Sequence, residues 1–232
     1  MKEKKMESFG IEGDSLEYEI LKNAAADIKD VDGLTCEIGV RLGMGSLAIM
    51  SQTMMENTKR THIGIDPFGN IRYQHGDYCK CPSCAAGWKD SPANYTNNLK
   101  RKFLKSIYDW CYAADTEFLF FGLEDTEFFE RFADGVPIYF HDSDVGDQNY
   151  KEKMGWKKLV NKYALVHIDG PHDLKTIQVE TNFFIDRISI GGYIVYDDVD
   201  GYDHKVIDAQ LLQNGYVCVD RGQRKISYKR LS

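Results

Sequence analysis

Two short apolar runs, Ala164–Ile168 and Tyr193–Tyr196, each end in aspartate and are separated by one amphipathic segment. No other pattern in the chain constrains its fold as strongly. The runs are rich in branched and aromatic residues, as strands are. Between them Leu174, Ile177, Phe184, Ile185 and Ile188 recur at helical spacing before Gly191 and Gly192 close the segment. A strand, a helix and a second strand in this order read as one unit of a parallel sheet. Such a unit places both carboxyl ends on the same rim, where open α/β sheets bind ligands. Asp169 then faces Asp197 and Asp198 across the roughly 4.8 Å that separates neighbouring strands. Carboxylates that close raise one another's pKa unless a cation sits among them. An all-oxygen set of this kind suits a hard divalent ion, Mg2+ first, with Mn2+ or Ca2+ as substitutes.

The first half carries a second ligand signal. Leu34–Val40 reads as a buried strand and runs into Gly39, Arg41, Gly43, Gly45 and Ser46, ahead of a helix with Leu47, Ile49, Met50 and Met54. Glycines at such a turn let backbone approach a ligand, and the helix N-terminus adds N–H donors. The next strand, His62–Ile65, ends in Asp66, placed to accept both hydroxyls of a ribose. This half therefore reads as nucleoside-binding.

Around these two signals the rest of the chain supplies supporting elements. Asp14 and Glu17 have capping-box spacing before Leu16, Ile20, Leu21, Ala24 and Ile28, a helix that stops at Asp32 and Gly33. Residues 67–97 and 134–158 show no periodicity and read as insertions, the first a lid or binding loop. Between them Leu99, Phe103, Leu104, Ile107, Tyr108 and Cys111 trace one face of a helix whose Lys100, Arg101, Lys102 and Lys105 form a solvated face. Phe118–Phe121 is a third strand, with a short helix near residues 125–133 after it. A helix at Lys205–Gln213 stops at Gly215, and Tyr216–Asp220 with Lys225–Lys229 form a closing hairpin.

Composition excludes some function classes. A net charge of −7 argues against a nucleic-acid footprint, and no run approaches the roughly 18 apolar residues of a membrane span. Cys36 and Cys218 fall in predicted strands and the other cysteines form no spaced framework, so a reducing cytoplasm is the simpler expectation. His75, Cys79, Cys81 and Cys84 offer four zinc ligands within one short loop, with unligated thiols as the alternative. His141, Asp142 and Asp144 read as a polar loop, with a substrate-facing role as the alternative; Trp88, Tyr95 and Trp156 are candidates for lining an acceptor pocket, though ordinary packing explains them as well.

Four stretches in fixed order, CEIGVRLGMGS at Cys36–Ser46, GIDPF at Gly64–Phe68, HIDGPH at His167–His172 and GGYIVYDD at Gly191–Asp198, resemble the class I S-adenosylmethionine-dependent methyltransferases. They are most similar to the metal-dependent sugar O-methyltransferases of the macrocin and mycinamicin type and to the related family named after cephalosporin hydroxylase. The likeness runs over roughly residues 34–200. It implies one Rossmann-like α/β domain over residues 1–232, a three-layer sandwich with a mostly parallel seven-stranded sheet and a C-terminal antiparallel hairpin. The matching positions imply that Glu37, Gly39, Arg41, Gly43, Ser46, Asp66 and Asp169 bind the cofactor. They also imply that Asp169, Asp197 and Asp198 hold Mg2+ or Mn2+ and that His172 is the general base. The glycine loop departs from the common GxGxG form, and Cys79–Cys84 has no counterpart in the family.

The resemblance implies S-adenosylmethionine-dependent, metal-assisted methylation of a hydroxyl on a small polyhydroxylated acceptor, a sugar or glycosylated metabolite. Two alternatives stay open: a metal-independent methyltransferase whose acids only shape the pocket, and a non-catalytic nucleoside-binding protein. Asp66 would serve a dinucleotide equally well, but GxGxxG is missing and the far acidic cluster favours S-adenosylmethionine. His172 read alone could simply cap the helix beginning near Asp173. Neither a nucleic acid nor a membrane partner is expected, and a homo-oligomer is left open.

Overall fold

In the computed structural model β1 (Leu34–Ile38) is buried at every position and has a parallel neighbour on each side, β2 (His62–Ile65) and β8 (Tyr163–Ile168). Strands covered on both faces read as continuous apolar runs, which is why these three stand out in the sequence. The residues described are 11, 13, 17–58, 60–69, 73, 74, 90, 91, 96–140 and 156–232. With β5 (Phe118–Phe121), β9 (Ile188–Tyr196), β10 (Tyr216–Arg221) and β11 (Ile226–Arg230), the sheet has seven strands in the order β10–β11–β9–β8–β1–β2–β5. Only the pairings of β11 with β9 and with β10 are antiparallel, so the expected terminal hairpin is present.

Successive side chains of β8 point to opposite faces and recruit different helices. Val166 and Ile168 join Ile177 and Phe184 of α5 (Leu174–Phe184), Phe128 of α4 (Asp125–Arg131) and Ile207 and Leu211 of α6 (Lys205–Gln213). Leu165 instead packs with Leu21 and Ala24 of α1 (Tyr18–Asp27) and with Ala48 and Ile49 of α2 (Met44–Met55). At the β5 edge, Phe118 meets Phe103, Ile107 and Trp110 of α3 (Asn97–Ala114). The three layers follow from this alternation.

Three sequence expectations need correcting. α5 ends at Phe184, and Ile188, Gly191 and Gly192 belong to β9. The glycines permit a close crossing of strands: a Cβ on Gly192 would lie 2.6 Å from the Ala164 carbonyl, beside a register shift between β8 and β9. Second, α1 begins at Tyr18 with Glu17 at the N-cap making no side-chain cap, while Asp14 lies outside the described residues. The Glu17 carboxylate accepts the backbone N–H groups of Gln223 (2.7 Å), Arg224 (3.0 Å) and Lys225 (2.8 Å) instead.

Third, the 134–158 insertion contains an antiparallel ribbon, β6 (Val136–Phe140) with β7 (Trp156–Val160). Val136 and Ile138 are buried and tie the ribbon to the α4 side of the core, while His141, Asp142 and Asp144 lie outside the described residues. In the 67–97 insertion β3 (Tyr73–Gln74) pairs with β4 (Asp90–Ser91). The zinc candidates His75, Cys79, Cys81 and Cys84, together with Trp88 and Tyr95, fall outside the described residues. Among the described residues no helix is long and apolar enough to cross a membrane.

Candidate active site

The chain leaves β1 toward β2 on one side and leaves β8 toward β9 on the other, so a crevice opens where these neighbouring strands end. Gly39 follows β1 with φ +80°, and a Cβ there would collide with the Asp169 carbonyl oxygen. The Asp169 N–H in turn donates to the Ile38 carbonyl at 2.9 Å. Gly43 is the N-cap of α2 with φ +91°, and a Cβ would lie 2.9 Å from the Phe103 ring. Both positions demand the left-handed backbone that glycine adopts without strain. Asp66 is buried on the same rim, accepting from Arg41 N at 3.1 Å and Phe68 N at 2.9 Å. Burial pushes its carboxyl up to about 6, with the two N–H groups pulling the other way. Gly39, Arg41, Gly43, Asp66 and Asp169 are thus gathered at one crevice.

Glu37 and Ser46 turn inward. Both are buried, and the Ser46 hydroxyl donates to Glu37 Oε2 while lying 2.9 Å from His62 Nε2. Strand register places Thr35 opposite His62 and Glu37 opposite His167, and both pairs bond, at 2.9 Å and 2.8 Å. His167 Nε2 meets the Lys225 ammonium at 2.8 Å, and the same ammonium donates to Asp197 Oδ2 at 2.6 Å. One buried chain of polar groups therefore runs across three strands, β2, β1 and β8, to Lys225 just before β11 and Asp197 just after β9.

An ammonium only donates, so His167 Nε2 accepts and its proton sits on Nδ1, facing Glu37. Burial, then Lys225, holds His167 below its ordinary range and keeps it neutral, while burial takes His62 down to about 3. Sequence reading missed His62, His167 and Lys225. The available signal was a polar residue inside an apolar strand run, as at Glu37 and His167, because a buried polar group requires a partner.

The acid rim is held by cations from the closing hairpin. Asp197 is 3% exposed; burial would raise its carboxyl, but the Lys225 ammonium, itself fully buried, overrides this and holds it below its usual range. Asp198 has φ +50° and pairs with His172 Nε2 at 3.0 Å through Oδ2 and with the Arg224 guanidinium through Oδ1. The side chain of Asp173 accepts Thr176 N–H at 3.0 Å, so capping of α5 falls to Asp173 and not to His172. Behind the rim Glu180 is wholly buried beneath Gly170, where a Cβ would lie 3.1 Å from Oε1. Burial, with Asp125 adding to it, pushes the Glu180 carboxyl well above its usual range.

Among the described residues, the set able to offer metal-ligating atoms within 4.8 Å of one another is Glu37, His167 and Asp169. Asp197 and Asp198 are not brought into it. Glu37 and His167 already bond each other, and His167 bonds Lys225, so those atoms form a network rather than an open cage.

Comparison with known proteins bears on this geometry. A family profile described as a methyltransferase domain matches residues 36–199. No curated protein matches by sequence. Among solved structures, the O-methyltransferase NovP is 16% identical with a TM-score of 0.56, over 93% of this chain and 79% of that one. CalS11, a calicheamicin methyltransferase, is 13% identical with a TM-score of 0.54, over 98% and 80%. An O-methyltransferase from Bacillus cereus in complex with SAH is 8% identical with a TM-score of 0.53, over 99% and 92%. At these identities the likeness shows a shared fold.

Proposed function

The chain belongs to the methyltransferase-domain family, and from that premise we propose that it transfers a methyl group from S-adenosylmethionine to a hydroxyl of a small polyhydroxylated acceptor, a sugar or glycosylated metabolite. One observation carries the reading: the Gly39–Asp169 crevice, the ribose-type acid Asp66 and the His172–Asp198 pair all stand at the carboxyl ends of parallel strands on one rim. Gly39 and Gly43 give the turn after β1 the left-handed backbone and close packing that shape it for the cofactor, and Asp66 accepts from its ribose. Glu37 and Ser46 serve from beneath, holding the loop's shape.

Bound there, S-adenosylmethionine supplies an electrophilic methyl on a sulfonium. The acceptor oxygen must lose its proton as the carbon–oxygen bond forms. His172 takes that proton, and Asp198, 3.0 Å away, orients the imidazole and stabilises it once charged. The Arg224 guanidinium gives Asp198 a countercharge in the resting site.

A divalent ion on Asp169, Asp197 and Asp198 fits this rim poorly. With Mg2+ about 2.1 Å from the carboxylate oxygen that Lys225 already contacts at 2.6 Å, ion and ammonium would lie within about 5 Å. Their repulsion there is on the order of 7 kcal/mol even at an effective dielectric of about 20. Proton transfer is therefore assigned to side chains alone.

Calorimetric titration with S-adenosylhomocysteine tests the reading. Wild type and His172→Ala bind it with affinities within about twofold, since His172 is assigned no contact with the cofactor, while His172→Ala loses turnover across a panel of sugar acceptors. Absence of nucleoside binding by the wild type would remove the assignment.

A further inference from the structure

We infer that the C-terminal hairpin supplies the positive charge of the acid rim from its own side chains, Lys225 on Asp197 and Arg224 on Asp198, so that these positions are closed to a divalent ion. The inference deepens the proposed methyl transfer and rests on it. Lys225 is fully buried, and an ammonium in that setting persists only with strong partners, here Asp197 at 2.6 Å and His167 at 2.8 Å. The second Asp197 oxygen accepts the Asp198 N–H at 2.8 Å, so both oxygens are engaged.

The hairpin turn is held in place to deliver these charges. Glu17 accepts three consecutive N–H groups at 223–225, and a Cβ on Gly222 would collide with that carboxylate. On the other side, Val199 N–H donates to the Arg224 carbonyl at 3.0 Å, which locks the turn to the loop that carries Asp197 and Asp198. The two cations differ in freedom. The Arg224 side chain is 47% exposed, whereas that of Lys225 is 0% exposed.

The test titrates the protein, alone and saturated with S-adenosylhomocysteine, with MgCl2 and MnCl2. The expected result is no saturable heat up to millimolar ion and a nucleoside affinity that EDTA leaves unchanged within about twofold. Saturable binding of either ion at micromolar affinity, lost in Asp197→Asn, overturns the inference while leaving the nucleoside site standing. Loss of nucleoside binding strikes the proposed function instead, and the ion titration of the protein alone still decides the hairpin's role. As a second readout, Lys225→Met is expected to gain a thermal stabilisation by Mg2+ that wild type lacks. Should that variant fail to fold, the wild-type titration by itself separates a closed rim from an ion-binding one.

Discussion

Asp66 and Asp197 are buried alike, at 4% and 3% exposure, and each follows the last residue of a parallel strand, yet the fold treats them in opposite ways. Asp66 accepts from backbone N–H dipoles, which do not offset burial, and Glu37 adds a like charge, so its carboxyl is raised to about 6. Asp197 meets a whole charge, and its carboxyl is held low despite equal burial. A carboxyl poised near neutrality with spare acceptor capacity suits a ligand that supplies hydroxyl donors. A carboxylate locked to an ammonium suits a scaffold. Burial and residue type alone therefore do not say which acid is a binding group; the partner does.

The difference predicts unequal responses to substitution. Lys225→Met leaves Asp197 buried without its countercharge and should cost about 3–5 kcal/mol in urea denaturation. The double variant with Asp197→Leu should recover part of that loss, and a double variant no better than the single would show that the pair is not what Lys225 supports. Asp66→Asn should instead lower S-adenosylhomocysteine affinity by about 10- to 100-fold, the loss expected for hydrogen bonds to a charged acceptor.

The raised carboxyl adds a pH signature. Binding needs the ionised form, so wild-type affinity should fall by about tenfold per pH unit below about 6, while Asp66→Asn stays flat. A wild-type profile flat from pH 7 to 5 would mean Asp66 does not meet the ribose.

A further effect, on the pH dependence of stability, concerns His62. With its folded value near 3 against an ordinary 6.5, the unfolded chain binds the extra proton between these limits, so stability falls as pH drops through that window. His62→Asn should make the acid limb of the stability curve shallower by about 1.4 kcal/mol per pH unit between pH 6 and 4.

Much of the frame was legible because its causes are local. Strand ends marked by Asp66, Asp169 and Asp197, and glycines where the backbone must turn left-handed, leave their trace in a few adjacent residues. What neutralises each acid was not legible. Lys225 lies 28 positions beyond Asp197, and only the order of strands, with β11 seated next to β9, brings them together. The Glu37–His167 bond likewise depends on a register across 130 positions. The pair of glycines at 191 and 192 misled for a related reason: glycine ends helices, but it also lets one strand cross close to another, and only the neighbour, Ala164, tells the two apart. The β6–β7 ribbon was hidden because its strands carry Pro137, Lys157 and Lys158 and are separated in sequence by a long stretch without periodicity.

The position of β11 also has a consequence in time. It is the last strand of the sheet to leave the ribosome, yet it sits between β9 and β10, which precede it. The sheet thus cannot be filled in the order of synthesis; β10 must wait, or dock only as half of a finished hairpin. Its fastening to Glu17 spans 208 positions, a closure of high contact order that comes late in folding. Until then Asp197 has no ammonium beside it, and a chain arrested short of residue 225 would present an uncompensated acidic edge. Docking of the hairpin and completion of the rim's charge balance are, in this protein, a single event.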